Sequence, residues 1–206
     1  MTLLDHTPDT LLDPMPAETS RAASRPVLTT ERLILRAPRL EDVKAVVKLA
    51  NDRRIAENTA RIPHPYTLVD AEKFIASVNR SDGEIAFLIT REKVVLGACG
   101  IRMSEREPDL GYWLGVPFWG HGYATEAVRA VIDHAFADLD FDALGAGTRV
   151  TNPASRRVLE KCGFQWIGVG LTRIRALASS APVDRFRLER AIWRSLKSWG
   201  AVKRVA

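Results

Sequence analysis

Between Leu114 and Ala127 the chain reads LGVPFWGHGYATEA, with Gly120 and Gly122 flanking His121 and helix-forming residues from Thr125 onward. A helix N-terminus leaves backbone N–H groups unpaired and carries partial positive charge. Glycines lack a Cβ and so let an anion approach that backbone closely. The chemistry this spacing offers is phosphate binding. It is not a P-loop, because no Gly-Lys-Ser/Thr follows, and the third glycine of a dinucleotide fingerprint is missing, Ala124 standing two residues after Gly122. On these residues alone an ordinary tight turn explains the pattern equally well.

Other residues have the right types for chemistry. On an alternating strand Asp109, Gly111 and Trp113 share one face, which leaves Tyr112 facing the opposite side, toward the core. Asn152 followed by Pro153 has the form of an N-cap and first helical position, with Ser155 three residues on. Glu126, in the first turn of its helix, complements the helix dipole. Cys99 and Cys162 lie far apart among apolar neighbours, without metal-ligand spacing, and read as buried structural thiols.

These residues need elements to hold them. The chain has 206 residues, 46% hydrophobic and 27% charged, as in an ordinary globular protein. It has no apolar run long enough to span a membrane and no signal-peptide pattern, so the expectation is a cytoplasmic protein. Residues 1–26 lack apolar periodicity and read as a flexible arm, with 27–206 as one domain. A strand from Val27 to Pro38 is expected, then a helix on Leu40, Val43, Val46, Val47 and Ala50. A second helix follows, capped by Thr67 with Asp70. Three strands come next: EIAFLIT and VVLGACGIRM about the turn Arg91–Lys93, then LGYWLGV. The helix Thr125–Asp138 carries the stripe Ala127, Val128, Val131, Ala135 and Leu139. ALGAGTRV is a further strand, and the short helix after Asn152 stops at Gly163. FQWIGVGLTRIRAL and VDRFRLERAIW read as basic strands about the turn SSAP. The order β-α-α-β-β-β-α-β-α-β-β is an α+β pattern without internal repeat.

Five segments, in this order, resemble the RimJ/RimL branch of the GNAT-superfamily N-acetyltransferases: LTTERLILR, IPHPYT, DLGYWLG, WGHGYATEA and NPASRRVLEKCGF. Gly122 and Ala124 match the last fixed positions of the family's Gln/Arg-x-x-Gly-x-Gly/Ala loop, while Trp119 replaces the Gln/Arg, as is typical of this branch. The likeness covers residues 27 to about 170 well. It implies the GNAT fold, a mixed, mostly antiparallel sheet flanked by helices, and acetyl transfer from acetyl-CoA, with no metal. It implies that the backbone of Trp119, Gly120, His121, Gly122, Tyr123, Ala124 and Thr125 holds the pyrophosphate, and that the strand edge around Trp113, Leu114 and Val116 pairs with pantetheine. Asn152 contacts the cofactor as well as capping its helix. Ser155 is either the general acid for the departing thiolate or a group bonded only to the helix terminus. Asp109 stands where relatives have glutamate and is the candidate base, directly or through water. His64 and Tyr66 border the acceptor site. His121, inside the turn, is assigned to solvent or phosphate rather than to catalysis.

The acceptor follows less directly. An α-amino group titrates near 7.7–8.0, whereas deprotonating a lysine at pH 7 costs roughly 4–5 kcal/mol. A site without a strong base therefore fits a protein N-terminus, a ribosomal protein being one example. The rivals are a small amine such as an amino acid, polyamine or aminoglycoside, and a non-catalytic CoA-binding module. The first 26 residues carry four acids and two arginines against an overall charge of +5, which leaves +7 for residues 27–206. That surplus suits a polyanion or is simply a solvated face. Nucleic acid enters only through a ribosomal target, since no nucleic-acid-binding motif is present. Monomer and homodimer are both compatible with the sequence, and Trp193 and Trp199 could pack within the chain or across a dimer.

Overall fold

The computed structural model describes residues 26–80 and 83–201. Residues 1–25 of the arm read from the sequence lie outside the described residues. The elements run β1 (Leu28–Thr29), β2 (Ile34–Arg36), α1 (Val43–Ala50), α2 (Arg53–Ala56), α3 (Leu68–Arg80), β3 (Glu84–Arg91), β4 (Val94–Arg102) and β5 (Asp109–Leu114). They continue with α4 (Tyr123–Ala137), β6 (Ala143–Arg149), α5 (Pro153–Lys161), β7 (Gln165–Ile174), β8 (Ser179–Glu189) and α6 (Arg190–Ala201). The eight strands form one sheet in the order β1-β2-β3-β4-β5-β6-β8-β7. Every neighbouring pair is antiparallel except β5 and β6, which run parallel.

Helices cover both faces of the sheet, which is why β3 and β4 are apolar almost without interruption rather than alternating. On one face α1 and α3 bury Val43, Val46, Ala71 and Ile75 against Leu88, Val95 and Ala98. On the other, α4 presses Ala127, Val128, Val131 and Ala135 onto Phe87, Ile101, Leu144 and Phe186. The stripe expected in α4 is thus the contact that seats it, except Leu139, which lies past the helix end at Ala137. Thr67 and Asp70 form the expected reciprocal cap of α3: the Thr67 N–H donates to Asp70 Oδ2 at 3.0 Å and the Asp70 N–H to Thr67 Oγ1 at 3.2 Å.

Three expectations need correction. The first strand is two, because Thr30 turns the chain: its N–H donates to the Leu33 carbonyl at 2.9 Å, and its hydroxyl accepts the Leu33 N–H at 3.0 Å. SSAP is not a turn but the start of β8, and the chain reverses earlier, at Arg175–Ala178. Pro182 is tolerated within that strand because β6 pairs only as far as Val183, so the missing N–H meets no ladder partner there. The last strand also stops at Glu189, where α6 begins. The 3.6-residue spacing of Ile192, Trp193 and Leu196 explains the helix. Trp193 packs within the chain, its ring 5.4 Å from Phe136 and its N–H donating to Asp133 at 2.8 Å. Among the described residues no helix is long and apolar enough to cross a membrane.

Asp42 anchors the entry to α1. Its buried carboxylate accepts both Arg36 Nη groups, at 2.8 and 2.7 Å, and the Arg39 N–H at 2.8 Å. Burial pushes the Asp42 carboxyl up, but these bonds outweigh it and hold it below the usual carboxylate value. The pair's contribution is therefore fully present above the ordinary aspartate pKa and is lost as pH falls through the depressed one. Asp42→Asn should lower stability by about 3 kcal/mol at neutral pH in urea unfolding and should lack this acid-side loss.

Candidate active site

The glycine turn has the geometry its sequence implies. A short 3-10 turn, Val116–Phe118, follows β5, and α4 then starts directly at Tyr123. Gly120 and Gly122 both adopt left-handed φ, +79° and +81°. At Gly120 an added Cβ would meet nothing within 4 Å, so the backbone there borders open space. Gly122 is the N-cap and supplies no side-chain acceptor, so the first N–H groups of α4 have no side-chain cap. The turn is held from three sides. Trp119 Nε1 donates to the Leu114 carbonyl at 2.8 Å. Arg32 donates to the His121 carbonyl at 3.1 Å, with its guanidinium 4.8 Å from the Tyr123 ring centroid. Glu126 fixes Arg32 in turn, accepting its N–H at 2.9 Å, its Nε at 2.7 Å and the Thr30 hydroxyl at 2.6 Å. Glu126 therefore does more than complement a dipole: it ties the N-terminal hairpin to α4. Tyr123 is buried and bonds Arg91 through its hydroxyl, so only its backbone is available to a ligand. His121 stacks on the Tyr123 ring, centroids 5.6 Å apart, at the surface.

Beside the turn the sheet opens. β5 and β6 share only two residue pairs, Asp109↔Gly145 and Leu110↔Ala146. The β4 register sets Asp109, Gly111 and Trp113 opposite Arg102, Gly100 and Ala98, and Gly115 donates to Leu96 on the same side. By strand alternation the main-chain groups of Trp113 therefore face β4, and those of Tyr112 and Leu114 face the gap. Along this edge the Tyr112 main chain and the Leu114 N–H face the gap, the Leu114 carbonyl being taken by Trp119, while the Trp113 main chain faces β4. Continuing the two surviving pairs sets Thr148 of β6 level with Tyr112, and Thr148 Oγ1 is buried without a hydrogen-bond partner. An uncapped helix end and an opened strand edge, with the buried, unpartnered Thr148 hydroxyl level with Tyr112 across the gap, fit an extended ligand with phosphates at one end and amides along its length.

Ser155 reaches this groove from α5. Asn152 caps that helix as expected, accepting the Ser155 N–H at 3.1 Å. The Ser155 hydroxyl is not engaged with the helix end; it lies 2.8 Å from the Tyr112 hydroxyl, which also donates to the Ser155 carbonyl at 3.1 Å. Tyr112 thus bridges the two sides of the opened sheet, a role hidden by its assignment to the core. Burial pushes its phenol well above the usual tyrosine range, which keeps it a neutral donor.

Asp109 lies on the other face of β5, away from Ser155. Arg102 approaches it at 3.9 Å. Burial pushes its carboxyl above the ordinary value, against the pull of Arg102, Arg185 and Arg61. His64 is exposed in the loop before α3. Tyr66, expected beside the acceptor, is buried with Val43, Ala71 and Ile75, and burial pushes its phenol up to about 12. Cys99 and Cys162 are buried free thiols, Cys162 pushed up to about 11 by burial, so neither is poised as a nucleophile.

Known proteins share this fold. Residues 32–165 match the family described as acetyltransferase (GNAT) domain. An uncharacterized N-acetyltransferase, p20 of Bacillus licheniformis, is 29% identical over 150 residues, which is 69% of this chain and 84% of that protein. Among solved structures, Mycobacterium smegmatis RimJ with a CoA-disulfide superposes with a TM-score of 0.73 at 17% identity, covering 87% of this chain and 96% of that one. RimL, a ribosomal-protein α-N-acetyltransferase solved with coenzyme A, gives 0.71 at 18% identity, covering 80% and 98%. The chain belongs to the GNAT acetyltransferase family and is an acetyl-CoA-dependent N-acetyltransferase.

Proposed function

We propose that this enzyme acetylates the α-amino group of a protein N-terminus by direct attack of the amine on the thioester, in a ternary complex. The observation that carries the reading is the Tyr112–Ser155 bridge across the opened β5–β6 edge, because it sets a proton donor beside the groove a thioester would occupy. The backbone from Trp119 to Thr125, steadied by Arg32, binds the pyrophosphate, and Tyr112 and Leu114 pair with pantetheine amides. Asn152 holds the α5 terminus so that Ser155 faces the groove. Ser155 acts as the general acid for the leaving thiolate, and the Tyr112 hydroxyl orients it. Asp109, on the opposite face of β5, accepts the amine proton directly or through water. Acid and base on opposite faces suit an attack in which the amine enters on one side and sulfur departs on the other. A buried pair of high-pKa cysteines fits a route without a covalent enzyme intermediate.

Three outcomes are expected. Saturating acetyl-CoA, at about 100 times its Kd, should raise Tm by roughly 5–10 °C. Gly120→Glu puts a carboxylate into open space and should abolish that shift while the protein stays folded. Ser155→Ala should lower kcat by about 10²-fold or more with the acetyl-CoA shift retained, and Tyr112→Phe should give a smaller loss. Because Asp109 works deprotonated and its pKa is raised, kcat/KM should fall as pH drops through a limb above the ordinary aspartate value. Asp109→Asn should remove that limb. A wild type that acetyl-CoA does not stabilise would contradict the cofactor assignment, and full activity in Ser155→Ala would contradict the acid.

A further inference from the structure

On the α1–α3 face one line of residues crosses the sheet, where the register sets Glu84, Arg102, Asp109, Gly145 and Arg187 side by side. Arg61 forms a two-pronged pair with Glu84, one contact at 2.8 Å. Beyond Arg61 lies a cavity of about 430 Å³, lined by Ala60, Arg61, Arg173, Arg175 and Ala178. The loop and the β7–β8 turn that enclose it are tied together by the Arg175 N–H on the Ala60 carbonyl at 3.0 Å. Its size is that of a small-ligand site, but three of its five lining residues are arginines.

Few carboxylates answer these cations. Among the described residues, neither Arg173 nor Arg185 forms a direct ion pair; Arg185 donates to Thr172 Oγ1 at 2.8 Å and acts on Asp109 through its charge alone. Arg175 has only Asp70, at 3.8 Å. Arg149 donates to the Glu57 carbonyl, and its Nε is buried without a partner. A cavity walled by three guanidiniums against the two carboxylates Glu84 and Asp70 keeps a positive surplus, which repels a polyamine or an aminoglycoside and attracts carboxylates, bound by arginine in two-pronged geometry.

We propose that the acceptor is the N-terminus of an acidic polypeptide segment, its amine directed to Asp109 and its following carboxylates held by Arg173 and Arg175. The inference rests on the reading of the enzyme as an N-terminal acetyltransferase and names its substrate class. The guanidinium surplus sets KM and selectivity, while the general acid stays with the groove on the other face of β5.

Initial rates of thiol release test this with three peptides of equal length and identical first residue, continuing with Asp/Glu, Asn/Gln or Lys, and with free glutamate as a fourth acceptor. The acidic peptide should show a KM about tenfold or more below the neutral one at low salt, and the lysine peptide the weakest reaction. That advantage should shrink as salt rises from about 50 to about 500 mM. Arg173→Glu combined with Arg175→Glu should abolish or invert the preference while the acetyl-CoA-dependent thermal shift remains. Equal KM for acidic and neutral peptides overturns the substrate class and leaves N-terminal acetylation standing. Acetylation of glutamate without the acidic peptide overturns it in favour of a small carboxylate-bearing amine. Failure of every peptide in a protein that acetyl-CoA still stabilises overturns both, and places the error in the acceptor.

Discussion

The structure depends on a ladder that stops. β5 and β6 are joined by two residue pairs and then part, although each is well paired on its other side. A sheet interior does not give up hydrogen bonds cheaply, since each buried unpaired main-chain group costs about 1–3 kcal/mol. That cost persists in a native fold only where water or a ligand satisfies the exposed groups. Here the break lies at the one parallel pair in the sheet, between two antiparallel blocks that are each stable on their own pairings. α4 and α5 follow the two separated strands, so the parting also sets where their N-termini lie. The glycine turn, Tyr112, Thr148 and Ser155 are all placed by this single interruption.

Each side of the break is then stiffened by a few polar contacts. Glu126 and Arg32 join the N-terminal hairpin to the glycine turn, and Trp119 fastens the same turn to the end of β5. These bonds hold left-handed glycine backbone in one geometry, which is what a preorganised anion site requires. Across the groove, Tyr112 joins β5 to α5 with a hydrogen bond that a thioester-bearing ligand would border. Electrostatics divide the two faces of β5. The α4 face offers neutral donors and backbone N–H groups, and the α1–α3 face offers Asp109 in a field of arginines.

The glycine turn, the α4 stripe, the Thr67 cap and the Asn152 cap were all legible in the sequence, because each is a local pattern with one structural solution. The residues that escaped are those whose meaning depends on what lands beside them. Alternation placed Tyr112 on the face opposite Asp109 correctly, but nothing in GYW says that α5 brings Ser155 to that face. Arg32 lies about 90 residues from the turn it holds, and Thr148 matters only because the register beyond Leu110 lapses. Tyr66 shows the converse, a loop tyrosine in a family-like segment whose ring fills the α1–α3 core. The missed α6 reflects a basic stretch whose apolar residues fit strand and helix spacing alike until Trp193 meets Phe136.

The most direct measurement is amide hydrogen exchange, residue by residue, with and without coenzyme A. If the interrupted ladder and the glycine turn form the cofactor site, added coenzyme A must slow exchange at Leu114 and Tyr112 on the open edge of β5 and at residues 120–125. Trp113, already paired with β4, must change little. Protection confined to another surface, or none at saturating coenzyme A, would contradict the central claim that the gap between β5 and β6 exists to hold this ligand.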